Sequence, residues 1–160
     1  MRIQKPRIKR AIQEAEKLSS RYSPPLIPAL EIAEKNGVDV IFADFGQYNN
    51  EIAGYCDFEE KKLYVNDNDT FLNKLHTISH ELGHWILHQD IYSKSPNEYP
   101  VLRRFYEPDL EDPLELEAES FSAHLLVPEH LLRPVQDAPT AALARVFGVS
   151  ISIIESRLKE

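Results

Sequence analysis

The chain has 160 residues, 42% of them hydrophobic, a length that suits one globular domain with a single core. Its formal net charge of −8 argues against a protein that works by coating a nucleic-acid backbone, because that mode relies on clustered Lys and Arg to displace counterions. No run of about 18 apolar residues marks a membrane span, and the basic start MRIQKPRIKR lacks the apolar stretch of a signal peptide, so a cytoplasmic protein is expected.

In chain order, residues 6–20 predict an amphipathic helix, with Ile8, Ala11, Ile12, Ala15 and Leu18 on one stripe. Pro24, Pro25 and Pro28 interrupt the chain, and "ALEIAEKNG" predicts a second helix ending near Gly37. "VDVIF" follows as a short strand, then "EIAGYCDF" and "KKLYVN" as a hairpin. Cys56 lies in this alternating run and reads as a small buried hydrophobe rather than a nucleophile. "NDNDT" offers helix caps for a helix of about five turns over 70–89. From Gln89 to Pro113 the periodicity is lost and four prolines appear, which predicts a long irregular connection. Helix returns over 114–126 and stops before Pro128, and a helical pair over 138–160 closes the chain. The expected architecture is α+β: a small antiparallel sheet packed on a helical bundle, with residues 1–160 as one domain and 1–24 its N-terminal helical segment.

The central helix carries "HTISHELGHWILH", four of the six histidines at intervals of four. Positions four apart on a helix differ by only about 40°, so His80 and His84 point the same way, and Glu81 lies about 60° from His84. This is the HExxH arrangement, in which two neutral imidazoles bind Zn²⁺ and the glutamate serves as base towards a water molecule. His76 and His88 drift about 40° and 80° from His80 in opposite directions, so neither is expected to ligate: His88 reads as a supporting or helix-end histidine and His76 as packed or exposed, with a non-functional role favoured for each.

A catalytic zinc normally has three protein ligands, and "DPLELEAESFSAHLLVP" is the source of the third. Ala118, Phe121, Ser122 and Leu125 define its inward stripe, and Glu117 lies about 40° from Phe121, whereas Glu115 and Glu119 lie about 120° and 160° away. A carboxylate on a core-facing stripe is costly unless paired or coordinating, so Glu117 is the expected third ligand. His124 competes on the same line but is expected to be a satisfied or exposed histidine.

"HELGHWILH", the later "EAESFSAHLLVP" and the strand "LYVN" together resemble the ImmA/IrrE family of zinc metallopeptidases over roughly residues 25–158. The resemblance implies a zincin-like fold, His80 and His84 as zinc ligands, Glu81 as catalytic acid/base and Glu117 as third ligand. It also implies a protein substrate, typically a separate helix-turn-helix repressor whose cleavage relieves repression. Departures from the family pattern stand at residues 75–79, Glu119 and Ser122.

Two other readings compete. "ALARVFGVSISIIESRL" has the outline of a DNA-binding helix-turn-helix, but its second helix offers few base-reading groups, so packing is expected. A zinc-binding interaction protein or toxin–antitoxin partner would need no Glu81, because a structural zinc site has closed coordination and no base.

Overall fold

A computed structural model describes residues 5–23, 26–94, 101–105 as backbone, 109 and 111–160. Helix α1 (Ile8–Ser19) and helix α2 (Ala29–Lys35) lead into strand β1 (Asp39–Ala43), strand β2 (Ile52–Asp57) and strand β3 (Lys62–Asn66). The long helix α3 (Phe71–Lys94) follows, then strand β4 (Val101–Phe105), helix α4 (Pro113–Leu126), the short helix α5 (Glu129–Leu132), and the closing pair α6 (Thr140–Phe147) and α7 (Ile151–Leu158).

The fold class is α+β, as expected. The predicted hairpin is β2–β3, paired antiparallel with Tyr55 opposite Tyr64. The sheet as a whole is mixed rather than purely antiparallel, with strand order β1-β3-β2-β4. The chain reverses twice between β1 and β3, so β1 joins the hairpin parallel to β3, Val40 opposite Leu63. The connection predicted to be irregular from Gln89 to Pro113 holds more structure than its prolines suggested: α3 runs on to Lys94 and β4 adds to β2 as an antiparallel edge.

Alternation along the strands puts Gly54, Cys56, Leu63 and Val65 on one face, and Cys56, Leu63 and Val65 are buried there against α3. Gly54 is what lets the helix come that close: a Cβ there would sit 2.5 Å from the Tyr64 carbonyl oxygen and 2.7 Å from the Thr77 methyl. On the outer face Tyr55 stacks on Tyr64 with ring centroids 4.6 Å apart. Thr70 starts α3, its hydroxyl accepting from the Asn73 N–H at 3.3 Å. Beyond the sheet, Trp85 donates its indole N–H to the Asn36 carbonyl at 2.9 Å and stacks with Phe58, which also stacks on Tyr92.

One continuous buried cluster runs from Ala11 and Ala15 of α1 through Leu82 and Leu87 of α3 and Phe121 and Leu125 of α4 to Ile154 of α7. Arg157 of α7 is buried with it. Its guanidinium donates to the Val127 carbonyl and pairs with Glu129 and Glu160, so the one arginine of the closing helix is spent on internal bonds. Among the described residues, no helix is long and apolar enough to cross a membrane.

Candidate metal centre

Helices α3 and α4 lie side by side in opposite directions. Their facing acids and histidines form successive rungs: His84 with Glu115, His80 with Glu115 and Glu119, His76 with Glu119. Gly83, inside the HExxH motif, permits the approach, since a Cβ there would meet the Phe121 ring at 3.0 Å and the Ala118 Cα at 3.3 Å. Helix α4 is started by Asp112, whose carboxylate accepts the Leu114 N–H at 2.9 Å, and by Pro113 in the first turn. Glu115 therefore sits in that first turn, where the helix dipole favours an anion.

The Nε2 atoms of His80 and His84 lie 3.0 Å and 2.9 Å from the two oxygens of Glu115. Both histidines are fully buried, and so is Glu81. Ligand atoms of His80, Glu81 and His84 all fall within 4.8 Å of one another. On their far sides, His80 Nδ1 is 2.7 Å from Glu119 and His84 Nδ1 is 2.8 Å from His88 Nδ1. The sequence-predicted trio is thus brought together on one face of α3.

Glu117 is not brought to that face. It is fully buried, as its stripe position predicted, but its carboxylate accepts the Arg7 backbone N–H at 3.0 Å and the Arg7 guanidinium at 3.3 Å, and lies 3.2 Å from His88 Nε2. The acid against the two Nε2 atoms is Glu115, two residues earlier. The inward-stripe argument selected the most buried acid, whereas an open metal site belongs at the rim of a core where substrate and water can enter. Glu115 retains 13% side-chain exposure there. The signal that points to it is a pairing of periods: Glu115 and Glu119 are four apart, like His80 and His84, so two matching stripes face each other across the helix interface.

Burial pushes the His84 imidazole down from 6.5 to about 4, outweighing the opposing pull of Glu115, so the ring is neutral near pH 7. His88 is lowered for the same reason, with Glu117 opposing. For Glu115 burial works against the anion, yet the hydrogen bonds with His80 and His84 prevail and hold it well below the usual carboxylate range. Glu117 behaves alike: burial is opposed and overcome by His88 and the Arg7 N–H. Cys56 is raised well above its ordinary value, by burial first and then by Glu81 and Asp57, in keeping with a packing role.

The remaining expectations fall as follows. His124 is buried and donates Nδ1–H to the Ser120 carbonyl at 2.9 Å, with Nε2 against Glu160, a satisfied histidine away from the trio. His88, placed beside the pair by its spacing, faces His84 and Glu117 and is 1% exposed. Of the tyrosines in the connection from Gln89 to Pro113, Tyr92 of α3 is stacked on Phe58, while Tyr99 and Tyr106 lie outside the described residues.

Two imidazoles and one carboxylate converging from two helices, with a second carboxylate alongside, form a nitrogen and oxygen donor set that fits a catalytic zinc. The profile of a peptidase family described as the IrrE N-terminal-like domain matches residues 33–159. No curated protein matches the chain. A solved Mycobacterium tuberculosis transcriptional regulator shares the fold with a TM-score of 0.62 at 16% identity, the alignment covering 93% of this chain and 46% of that one. This chain thus spans about half the length of that neighbour.

Proposed function

Since the chain belongs to the IrrE N-terminal-like peptidase family, whose function is of the zinc-metallopeptidase kind, we propose that it is a zinc-dependent endopeptidase. In this reading His80, His84 and Glu115 hold the metal and Glu81 is the catalytic base. Glu115 takes the ligand position for which the sequence pattern favoured Glu117. The observation that carries the reading is the Glu115 carboxylate spanning both Nε2 atoms, with Glu81 beside them.

When bound, zinc supplies Lewis acidity that polarises a scissile carbonyl and makes water acidic enough to attack near neutral pH. The protein's own part is positional and protolytic. His80 and His84 would turn their Nε2 atoms to the ion, with Glu119 and His88 against their other nitrogens. Glu115 contributes a negative charge that offsets part of a divalent cation's. Glu81 takes the proton of the attacking water and returns it to the leaving amine.

The substrate we propose is a separate helix-turn-helix repressor, cut in the cytoplasm so that its genes are derepressed, with residues 1–160 acting as one catalytic domain. The Mycobacterium tuberculosis transcriptional regulator that shares the fold is in keeping with a substrate in gene control. A zinc-binding partner protein without proteolysis would have no use for a buried Glu81 next to the histidines. The test is incubation of wild type and Glu81→Gln with the repressor encoded nearest to the gene, with zinc or with chelator. Cleavage by zinc-loaded wild type alone is expected. Undiminished cleavage by Glu81→Gln contradicts the mechanism.

A further inference from the structure

We infer that Arg7, Glu117 and His88 form a positioning chain that sets the tautomer and ring orientation of His84, making the segment before the family-matched region part of the metal site. This rests on the metal-binding reading above. The family profile begins at residue 33, and Arg7 and α1 precede it. Yet Arg7 delivers both a backbone N–H and a guanidinium to Glu117, and Arg10 donates to the Leu87 carbonyl at 2.9 Å, so the start of α1 is fastened to α3 at the turn after His84. Arg7 also pairs with Asp90 of α3 at 3.7 Å.

The order of donors along the chain follows from these contacts. Glu117 receives two Arg7 donors and is therefore an acceptor towards its remaining neighbour, so His88 donates to it through Nε2–H. A neutral His88 protonated at Nε2 has a lone pair at Nδ1, and that lone pair faces His84 Nδ1 at 2.8 Å. With a metal in place of the Glu115 hydrogen bond at His84 Nε2, that nitrogen must offer its lone pair to the ion, so His84 carries its proton on Nδ1 and donates it to His88. A reversed His88 would set two Nδ1–H donors against each other across that distance. Glu117, His88 and His84 are each at most 1% exposed, so no water relieves a wrong tautomer. The spacing of His88 four residues after His84, which the central pair alone does not use, acquires a role as the link that passes the orientation inward.

Zinc affinity, measured on the full chain by chelator competition, tests the chain of contacts together with apo melting temperature. His88→Phe and Glu117→Gln are expected to weaken zinc binding roughly 10- to 100-fold, and Arg7→Ala by a smaller factor. Ile154→Ala, in the buried core of α7, is expected to lower the melting temperature while leaving zinc affinity of the folded protein unchanged. Long-range ¹H–¹⁵N spectra of the zinc-loaded wild type, which require no variant, are expected to show His88 protonated at Nε2. Zinc affinities of His88→Phe and Glu117→Gln within twofold of wild type, or a proton on His88 Nδ1, overturn this inference alone. A wild type that binds no zinc overturns the metal reading and this inference with it.

Discussion

Glu115 and Glu117 sit two positions apart on one helix and end up in different company, one against His80 and His84, the other between Arg7 and His88. Ser122 makes a related point. Its hydroxyl is buried with no hydrogen-bond partner, a state that costs about 1–3 kcal/mol. Ser122→Ala is therefore expected to raise stability by about 1 kcal/mol, read as a higher midpoint in urea; a lower midpoint would mean that the hydroxyl is satisfied in solution. At the same scale, the lowered His84 pKa makes the unfolded chain bind more protons than the folded one between pH 6.5 and about 4. The stability contributed by a neutral, buried His84 is thus present above pH 6.5 and lost as pH falls towards 4. Urea midpoints of the metal-free protein should decline across that window, and a midpoint that is flat from pH 7 to 4 would contradict the assignment of a buried neutral ring.

At the scale of elements, the site depends on how closely α3 and α4 pack. Gly83 sets that distance, because a methyl group would press on the Phe121 ring and the Ala118 backbone. Gly83→Ala is expected to cost about 1–3 kcal/mol by overpacking and to weaken zinc binding by moving Glu115 away from the histidines. Thermal melts and chelator competition on the same variant check both, and an unchanged melt together with unchanged zinc affinity would show that the interface has slack. Much of this element structure was legible in the sequence. The HExxH helix, the hairpin and the α4 boundaries each follow from a local signal: periodicity of four, alternation, Asp-Pro at a helix start. Strand β4 was not legible, because five residues beside several prolines become a strand only by pairing with β2, a non-local event. The parallel placement of β1 was hidden for the same reason: it is decided by which edge of the hairpin is free to pair.

For the whole molecule, the candidate metal centre draws on three helices rather than on one motif. The sequence located His80, Glu81 and His84 because their relation is contained within one turn of one helix. The choice between Glu115 and Glu117 could not be made that way. It depends on the rotation of α4 against α3, and burial within α4 measures distance from the core rather than direction towards the histidines. Arg7 was beyond reach of any spacing argument, lying 110 positions from the carboxylate it holds. The closing helices show the converse: the resemblance to a DNA-reading pair ends at Arg157, whose guanidinium is bonded inside the fold.

The most direct test of the metal centre is a crystal structure of the zinc-loaded protein with anomalous data at the zinc edge. A single peak is predicted about 2.0–2.2 Å from His80 Nε2, His84 Nε2 and a Glu115 oxygen, with Glu117 remaining on Arg7 and His88. A peak ligated by Glu117, or none between α3 and α4, would contradict the account.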